Sequence, residues 1–228
     1  MNSNRRTARI VGALFLIAIV VSILGGSIIE PIITAPDYLS RVSANGALVV
    51  LGVLLELING LAVIGIAVLL FPIFKKHNEA LALGYVALRI LEAVVVITAL
   101  SGPLTLIALS REYVAAGAAD ASAFHAVGTS LVAERSLWVS QMLGIFFGLT
   151  ALVLYCILYQ SKLVPRFISI WGLIGAALVM AWNLLELFGI SVSLGMVLAL
   201  PMILNEIFLA IWLIVKGFNS PSLASESA

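Results

Sequence analysis

Six long apolar stretches dominate this sequence and limit the folds that it can adopt. Each contains about 20 residues or more, the length that an α-helix needs to cross the hydrocarbon core of a bilayer. Hydrophobic residues make up 63% of the 228 residues and charged residues only 10%, which is typical of a membrane protein and not of a soluble domain. The stretches cover residues 10–29, 47–71, 80–109, 137–159, 167–188 and 194–215.

Backbone hydrogen bonding inside a bilayer decides between the architectures that cross membranes. Because the hydrocarbon offers no water, only helices and closed barrels satisfy every backbone donor and acceptor there. The six stretches are too long for barrel strands and lack their alternation of apolar and polar residues. We therefore predict an all-α polytopic membrane protein, in which residues 1–228 form a single domain of six transmembrane helices.

Basic residues are distributed unevenly between the two sides of the predicted bundle. Eight flank the spans on the side of the termini and three lie on the other side, so the positive-inside rule predicts that both termini are cytoplasmic. We expect the protein in the cell membrane. The eight are Arg5, Arg6, Arg9, Lys75, Lys76, Lys162, Arg166 and Lys216, and the three are Arg41, Arg111 and Arg135.

Two segments are expected on the extracytoplasmic side. Residues 30–43 contain Pro31 and Pro36 and are predicted to form a short loop. Residues 110–136 are long for a loop and rich in alanine, so part of this segment is expected to be a helix at the membrane interface. It either caps the bundle or acts as a gate or lid over a cavity. Its apolar face would contain Phe124, Val127, Leu131 and Val132, and its wet face Asp120, Ser130 and Glu134.

Ionisable residues inside the predicted spans are the strongest functional signal, because a charge in hydrocarbon must be compensated. Arg89 and Glu206 each lie ten positions from a charged boundary residue, which puts both near mid-membrane as expected ion-pair partners. Glu92 lies one turn from Arg89 on the same helix face and is the other expected partner. The complete candidate site comprises Glu56, Asn59, Arg89, Glu92, Asn183, Glu186, Asn205 and Glu206.

This polar set has more than one interpretation. One arginine faces four carboxylates, so at least one carboxylate is expected to be protonated or to face water. The residues either fix the helix register as a structural network, or form a site for a substrate, an ion or a proton, or contact a partner.

Several chemistries lack the residues that they require, and we expect no cofactor. His77 and His125 are predicted on opposite sides of the membrane, which argues against a metal centre or a bis-histidine haem. The lysines lie at span boundaries, where retinal would need one inside a helix. Cys156 is the sole cysteine, so a disulfide within the chain is excluded. The scattered basic residues do not favour nucleic-acid binding.

Three segments carry a family resemblance: 79–94 (EALALGYVALRILEAV), 163–176 (LVPRFISIWGLIGA) and 201–218 (PMILNEIFLAIWLIVKGF). Together they resemble a bacterial family of membrane proteins catalogued as a domain of unknown function, DUF4386. The resemblance implies six membrane helices over nearly the whole chain and, with them, a location in a bacterial inner membrane, but no activity. It highlights Arg89, Glu92, Pro165, Arg166, Trp171, Pro201, Glu206, Trp212, Lys216, Gly217 and Phe218.

Three functional hypotheses follow. The leading one is a small carrier or ligand-binding protein that uses the polar set to relay protons or to hold a cationic solute; its expected partners are the lipid bilayer and a small solute, cation or proton. The second is a non-catalytic scaffold or regulatory subunit in which the same set is structural. A membrane enzyme is the third, and no residue is assigned a catalytic role.

Overall fold

A computed structural model describes residues 3–117 and 121–219 of the chain. These two ranges contain helices and no strand. The helices are α1 (Ser3–Ile33), α2 (Tyr38–Ala44), α3 (Gly46–Phe74), α4 (Glu79–Ala115), α5 (Ala121–Leu137), α6 (Leu143–Ser161), α7 (Arg166–Leu187) and α8 (Gly195–Val215). A π-helical segment, Trp138–Met142, joins α5 to α6.

Six helical units in the described residues are long and apolar enough to cross a membrane. The fourth combines α5, the π segment and α6 into one unit of 41 residues, Ala121–Ser161. The predicted all-α, six-helix membrane fold is confirmed. The other five units lie within α1, α3, α4, α7 and α8.

The six units form a closed ring that follows their order in the chain. Helix α1 packs against α3, α3 against α4, α4 against α6, α6 against α7 and α7 against α8. The ring closes because α8 also packs against α1. Polar side chains on the inner faces of all six units are therefore directed towards one shared interior.

Glycines allow two pairs of neighbouring helices to approach closely. A Cβ atom on Gly12 of α1 would lie 2.5 Å from the carbonyl oxygen of Ala210 on α8. A Cβ atom on Gly175 of α7 would lie 2.9 Å from Cα of Met202, also on α8. Small residues of this kind are common where membrane helices pack backbone to backbone. Both contacts hold α8, which carries Glu206, in the ring.

The polarity of the bundle is the reverse of that of a water-soluble protein. Large apolar side chains point outwards, and Leu61 is 61% exposed. Charged side chains point inwards, and Arg89 and Arg135 are each only 2% exposed. An apolar exterior is stable in lipid and unfavourable in water. The chain is therefore a multi-pass membrane protein.

The two segments expected outside the spans are more helical than their sequences indicated. Helix α1 continues through Pro31 to Ile33, so Glu30 is helical, and most of the rest of the expected loop forms α2. Phe124, Leu131 and Val132 of α5 pack against the apolar cluster around Ile29, as predicted. Val127 is exposed instead, and the predicted wet-face residue Asp120 lies outside the described residues.

Candidate functional site

A cavity of about 650 Å³ occupies the centre of the helix ring and is lined by all six units. Its volume falls within the range of about 300 to 1,000 Å³ that is usual for small-molecule sites. Its walls are mostly apolar and include Phe15, Phe147 and Met202. Six of the eight candidate residues also line it: Asn59, Arg89, Glu92, Asn183, Glu186 and Glu206.

Arg89 is held by groups from its own helix. Its Nη1 donates to both carboxylate oxygens of Glu92, at 3.0 and 3.1 Å, and its Nε donates to the Tyr85 hydroxyl at 3.1 Å. The guanidinium carbon also lies 5.5 and 5.9 Å from the ring centroids of Tyr85 and Phe15. These contacts neutralise and orient the arginine, because a buried ion pair is stable only when its geometry and hydrogen bonds are good.

Glu206 does not pair with Arg89. Glu206 and Glu92 were the two alternative partners predicted for Arg89, and the structure contains the ion pair with Glu92. The Glu206 side chain is 8% exposed and borders the cavity. Across residues 3–117 and 121–219 its carboxylate makes no hydrogen bond and no ion pair. The central cavity therefore contains an acidic group that makes no hydrogen bond or ion pair with the described protein, although Arg89 is near enough to interact with it electrostatically.

Helix α7 contributes a polar wall. Nε1 of Trp182 donates to Oε1 of Glu186 at 2.7 Å, and Nδ2 of Asn183 donates to the carbonyl of Val179 at 2.8 Å. The Asn183 side chain fits against Gly144 of α6, where any Cβ atom would collide with it. Both candidate residues of this helix thus have local partners and still border the cavity.

Asn205 has a different position from the rest of the candidate set. It is fully buried, and its Nδ2 donates to the carbonyl oxygen of Ile168 at 2.9 Å, joining α8 to the first turn of α7. Its Oδ1 has no partner within the described residues. Because Asn205 is absent from the cavity wall, it acts in helix packing.

Glu56 belongs to a second charged cluster, centred on Arg135. Nη2 and Nη1 of Arg135 donate to the two Glu56 carboxylate oxygens at 2.7 and 3.2 Å. Its Nε donates to Glu30 at 2.9 Å, and Nη1 also donates to the Ala99 carbonyl at 3.1 Å. This one guanidinium joins α1, α3, α4 and α5.

Arg135 and Glu30 belong to a buried cluster that the sequence pattern does not predict. The pattern places both in extracytoplasmic segments and places Arg135 among the flanking basic residues. A signal was present: Gly128, Leu131, Val132 and Arg135 follow helical i, i+3, i+4, i+7 spacing, so extending the predicted apolar face of this segment by one turn reaches Arg135. No local spacing in the sequence indicates that Arg135 pairs with Glu56, which is 79 residues away along the chain.

A second cavity, of about 270 Å³, lies beside this cluster. Glu30 and Glu56 line it, together with Asn59 and three serines, Ser22, Ser136 and Ser140. Polar side chains therefore make up a larger share of its lining than of the lining of the central cavity. Across the residues that the structure describes, no group of three or more His, Cys, Asp or Glu side chains is arranged to hold a metal ion.

Comparison with known proteins gives a family and no activity. Neither the curated proteins nor the solved structures include a match to this chain. A family model does match, over residues 10–217, and this range includes both charged clusters, five helical units in full and all but the first few residues of the other, Asn4–Ile33. The chain belongs to the family described as Domain of unknown function (DUF4386).

Proposed function

We propose that this protein is a small carrier or ligand-binding membrane protein whose central cavity binds a small amphiphilic cation. The observation that carries the proposal is the Glu206 carboxylate, which borders a cavity of about 650 Å³ and makes no hydrogen bond or ion pair within the described residues. A carboxylate in hydrocarbon needs a proton or a cation to compensate its charge. An organic cation would supply that charge and place its apolar part against the cavity walls.

The charges around the cavity favour a cation over an anion. Arg89 and Glu92 form a pair without net charge, and Glu206 adds one negative charge when it is ionised. Phe15 and Phe147 border the same space, and aromatic faces attract organic cations such as quaternary ammonium groups. An anion would meet the uncompensated carboxylate and gain only the already paired Arg89.

Proton exchange provides a transport mechanism for the same site. When no ligand is bound, a proton compensates Glu206; when a cation binds, the proton leaves, because a nearby positive charge favours the ionised carboxylate. Each binding event then releases one proton. A carrier that exposed the cavity alternately to the two sides would couple cation movement in one direction to proton movement in the other.

The proposal includes an orientation and a location. Both termini lie in the cytoplasm of a bacterial cell, and the protein resides in the inner membrane. The excess of basic residues at the end of the bundle that contains the termini supports this orientation. An impermeant thiol reagent added outside the cell should label a cysteine introduced at Ser130 of α5, which is exposed. Labelling only after lysis would show that the orientation is the opposite one.

Binding of benzyltrimethylammonium to purified protein in detergent tests the site directly. Wild type should bind this cation and release protons into a weakly buffered solution, whereas Glu206→Gln should do neither. In liposomes, a cation gradient should drive proton movement with wild type alone. An uncharged carbon analogue of the cation should bind equally weakly to both proteins, because it gains nothing from the carboxylate.

The matched control is Glu112→Gln, which removes an exposed carboxylate at the end of α4. It should bind the cation as wild type does. If wild type and Glu206→Gln bind the cation with the same affinity, or if neither binds it, the carrier proposal is wrong. The scaffold hypothesis would then account for the polar residues as helix-packing groups.

A further inference from the structure

The central cavity and the cavity beside Arg135 share part of their walls. The residues that line both include Ser22 of α1, Asn59 of α3, and Val139 and Ser140 of the π segment. The smaller cavity lies towards the end of the bundle farther from the termini, since Glu30 is near the end of α1 and Glu56 near the start of α3. The two cavities therefore follow each other along the axis of the ring.

Neutral hydrogen-bonding groups border the junction between the cavities. Ser22, Asn59 and Ser140 make no side-chain hydrogen bond within residues 3–117 and 121–219. Hydroxyl and amide groups in this position can replace part of the hydration shell of a cation or relay a proton. Ser140 belongs to a π-helical segment, a distortion that occurs frequently at functional sites.

The smaller cavity also has the charge to attract cations. Arg135 supplies one positive charge, while Glu30 and Glu56 together supply two negative charges when ionised. Glu30 is half-buried, so its carboxylate also reaches the surface. A cleft lined by an excess of one sign of charge concentrates ions of the opposite sign and raises their association rates.

We infer that the smaller cavity is a cation vestibule, from which cations and protons reach Glu206 past Ser22, Asn59 and Ser140. This inference rests on the proposed function, because the route ends at Glu206, the proposed cation site. The vestibule itself is defined by its own cavity, by the charges of the Arg135 cluster and by the shared junction. It assigns a role to Glu30, Glu56 and Asn59 that helix packing alone does not require.

Thiol labelling in detergent tests the vestibule without reference to cation binding. In a Cys156→Ala background, Ser140→Cys should react at least about tenfold faster with cationic methanethiosulfonate ethylammonium than with anionic methanethiosulfonate ethylsulfonate, after correction for the reactivity of each reagent towards free thiol. Ser101→Cys, on the exposed face of α4, is the control and should react slowly with both. Ser22→Cys tests the opposite wall if Ser140→Cys fails to fold.

Blocking the junction tests the route. Once Ser140→Cys carries the ethylammonium group, benzyltrimethylammonium should associate with the protein at least about tenfold more slowly, while the same treatment of Ser101→Cys should leave the rate unchanged. Equal labelling by the two reagents, labelling no faster than at Ser101→Cys, or an unchanged association rate would each overturn the inference. If wild type binds no cation, the proposed function fails, and the labelling result alone still decides whether the vestibule exists.

Discussion

Two charged clusters of the same composition lie in this bundle, and they are arranged differently. Each contains one arginine and two glutamates: Arg135 with Glu56 and Glu30, and Arg89 with Glu92 and Glu206. Arg135 binds both of its carboxylates and joins four helices. Arg89 binds one carboxylate on its own helix, and the second, from α8, makes no hydrogen bond within the described chain.

The difference supports the proposal that the Arg89 cluster, with Glu206, borders the ligand site, while the Arg135 cluster also fixes helix packing. In the Arg135 cluster the guanidinium makes hydrogen bonds from all three nitrogens, so the cluster fixes how α1, α3, α4 and α5 pack. In the Arg89 cluster the local pair forms without Glu206, which leaves an acidic group at the cavity wall. Removing either arginine should therefore lower stability, whereas removing Glu206 should lower ligand binding without lowering stability.

The largest loss of stability is expected for Arg135→Gln. Removing this side chain leaves Glu56 and Glu30 without their partner, and breaking a buried ion pair typically lowers the free energy of unfolding by about 3 to 5 kcal/mol. Unfolding by a denaturing detergent would measure the change, and adding Glu56→Gln should restore much of it. Arg135→Gln with wild-type stability would contradict the structural role of the cluster.

A somewhat smaller loss is expected for Arg89→Met, because only Glu92 loses an ion pair. The change should lie near the lower end of the same range, about 3 kcal/mol. The double variant Arg89→Met/Glu92→Gln should recover most of the stability, whereas Arg89→Met/Glu206→Gln should recover less. Equal recovery in both double variants would show that Arg89 is coupled to Glu206 as strongly as to Glu92.

Glu206→Gln should leave the free energy of unfolding unchanged or raise it, since it replaces a buried carboxyl group that makes no hydrogen bond or ion pair in the described chain. The same variant should lose cation binding, so stability and binding change independently. Unfolding and benzyltrimethylammonium titrations on one protein preparation would measure both. A loss of stability as large as that of Arg89→Met would mean that Glu206 is structural, and the contrast between the clusters would disappear.

The smallest effect is expected for Arg41→Gln. Arg41 of α2 pairs with Asp37, the residue before the helix, at 2.7 Å, but both side chains are exposed. Exposed pairs of this kind contribute about 0.2 to 1 kcal/mol. The variant therefore sets the baseline against which both buried clusters are compared, and a loss as large as that of Arg135→Gln would show that burial does not explain the difference.

The candidate site was predictable wherever the relevant spacing is local. Arg89 and Glu92 are three residues apart on one helix, so their pairing follows from helical geometry. Asn59, Asn183, Glu186 and Glu206 stood out as polar residues within apolar stretches, and all four border the central cavity. The depth of each charged residue in the membrane could also be estimated from the sequence. Depth alone did not show whether Glu206 or Glu92 is the partner of Arg89.

Sequence by itself determined the six helical units and their membrane environment, because the length of an apolar stretch and its composition are local properties. Tertiary structure decided that Arg135 binds Glu56 and Glu30, which are 79 and 105 residues away along the chain. It also decided that Asn205 joins two helices and that Glu206 borders a cavity. Such relations depend on how each helix is rotated about its axis and on which helices are neighbours in the ring, and close packing between distant segments fixes both.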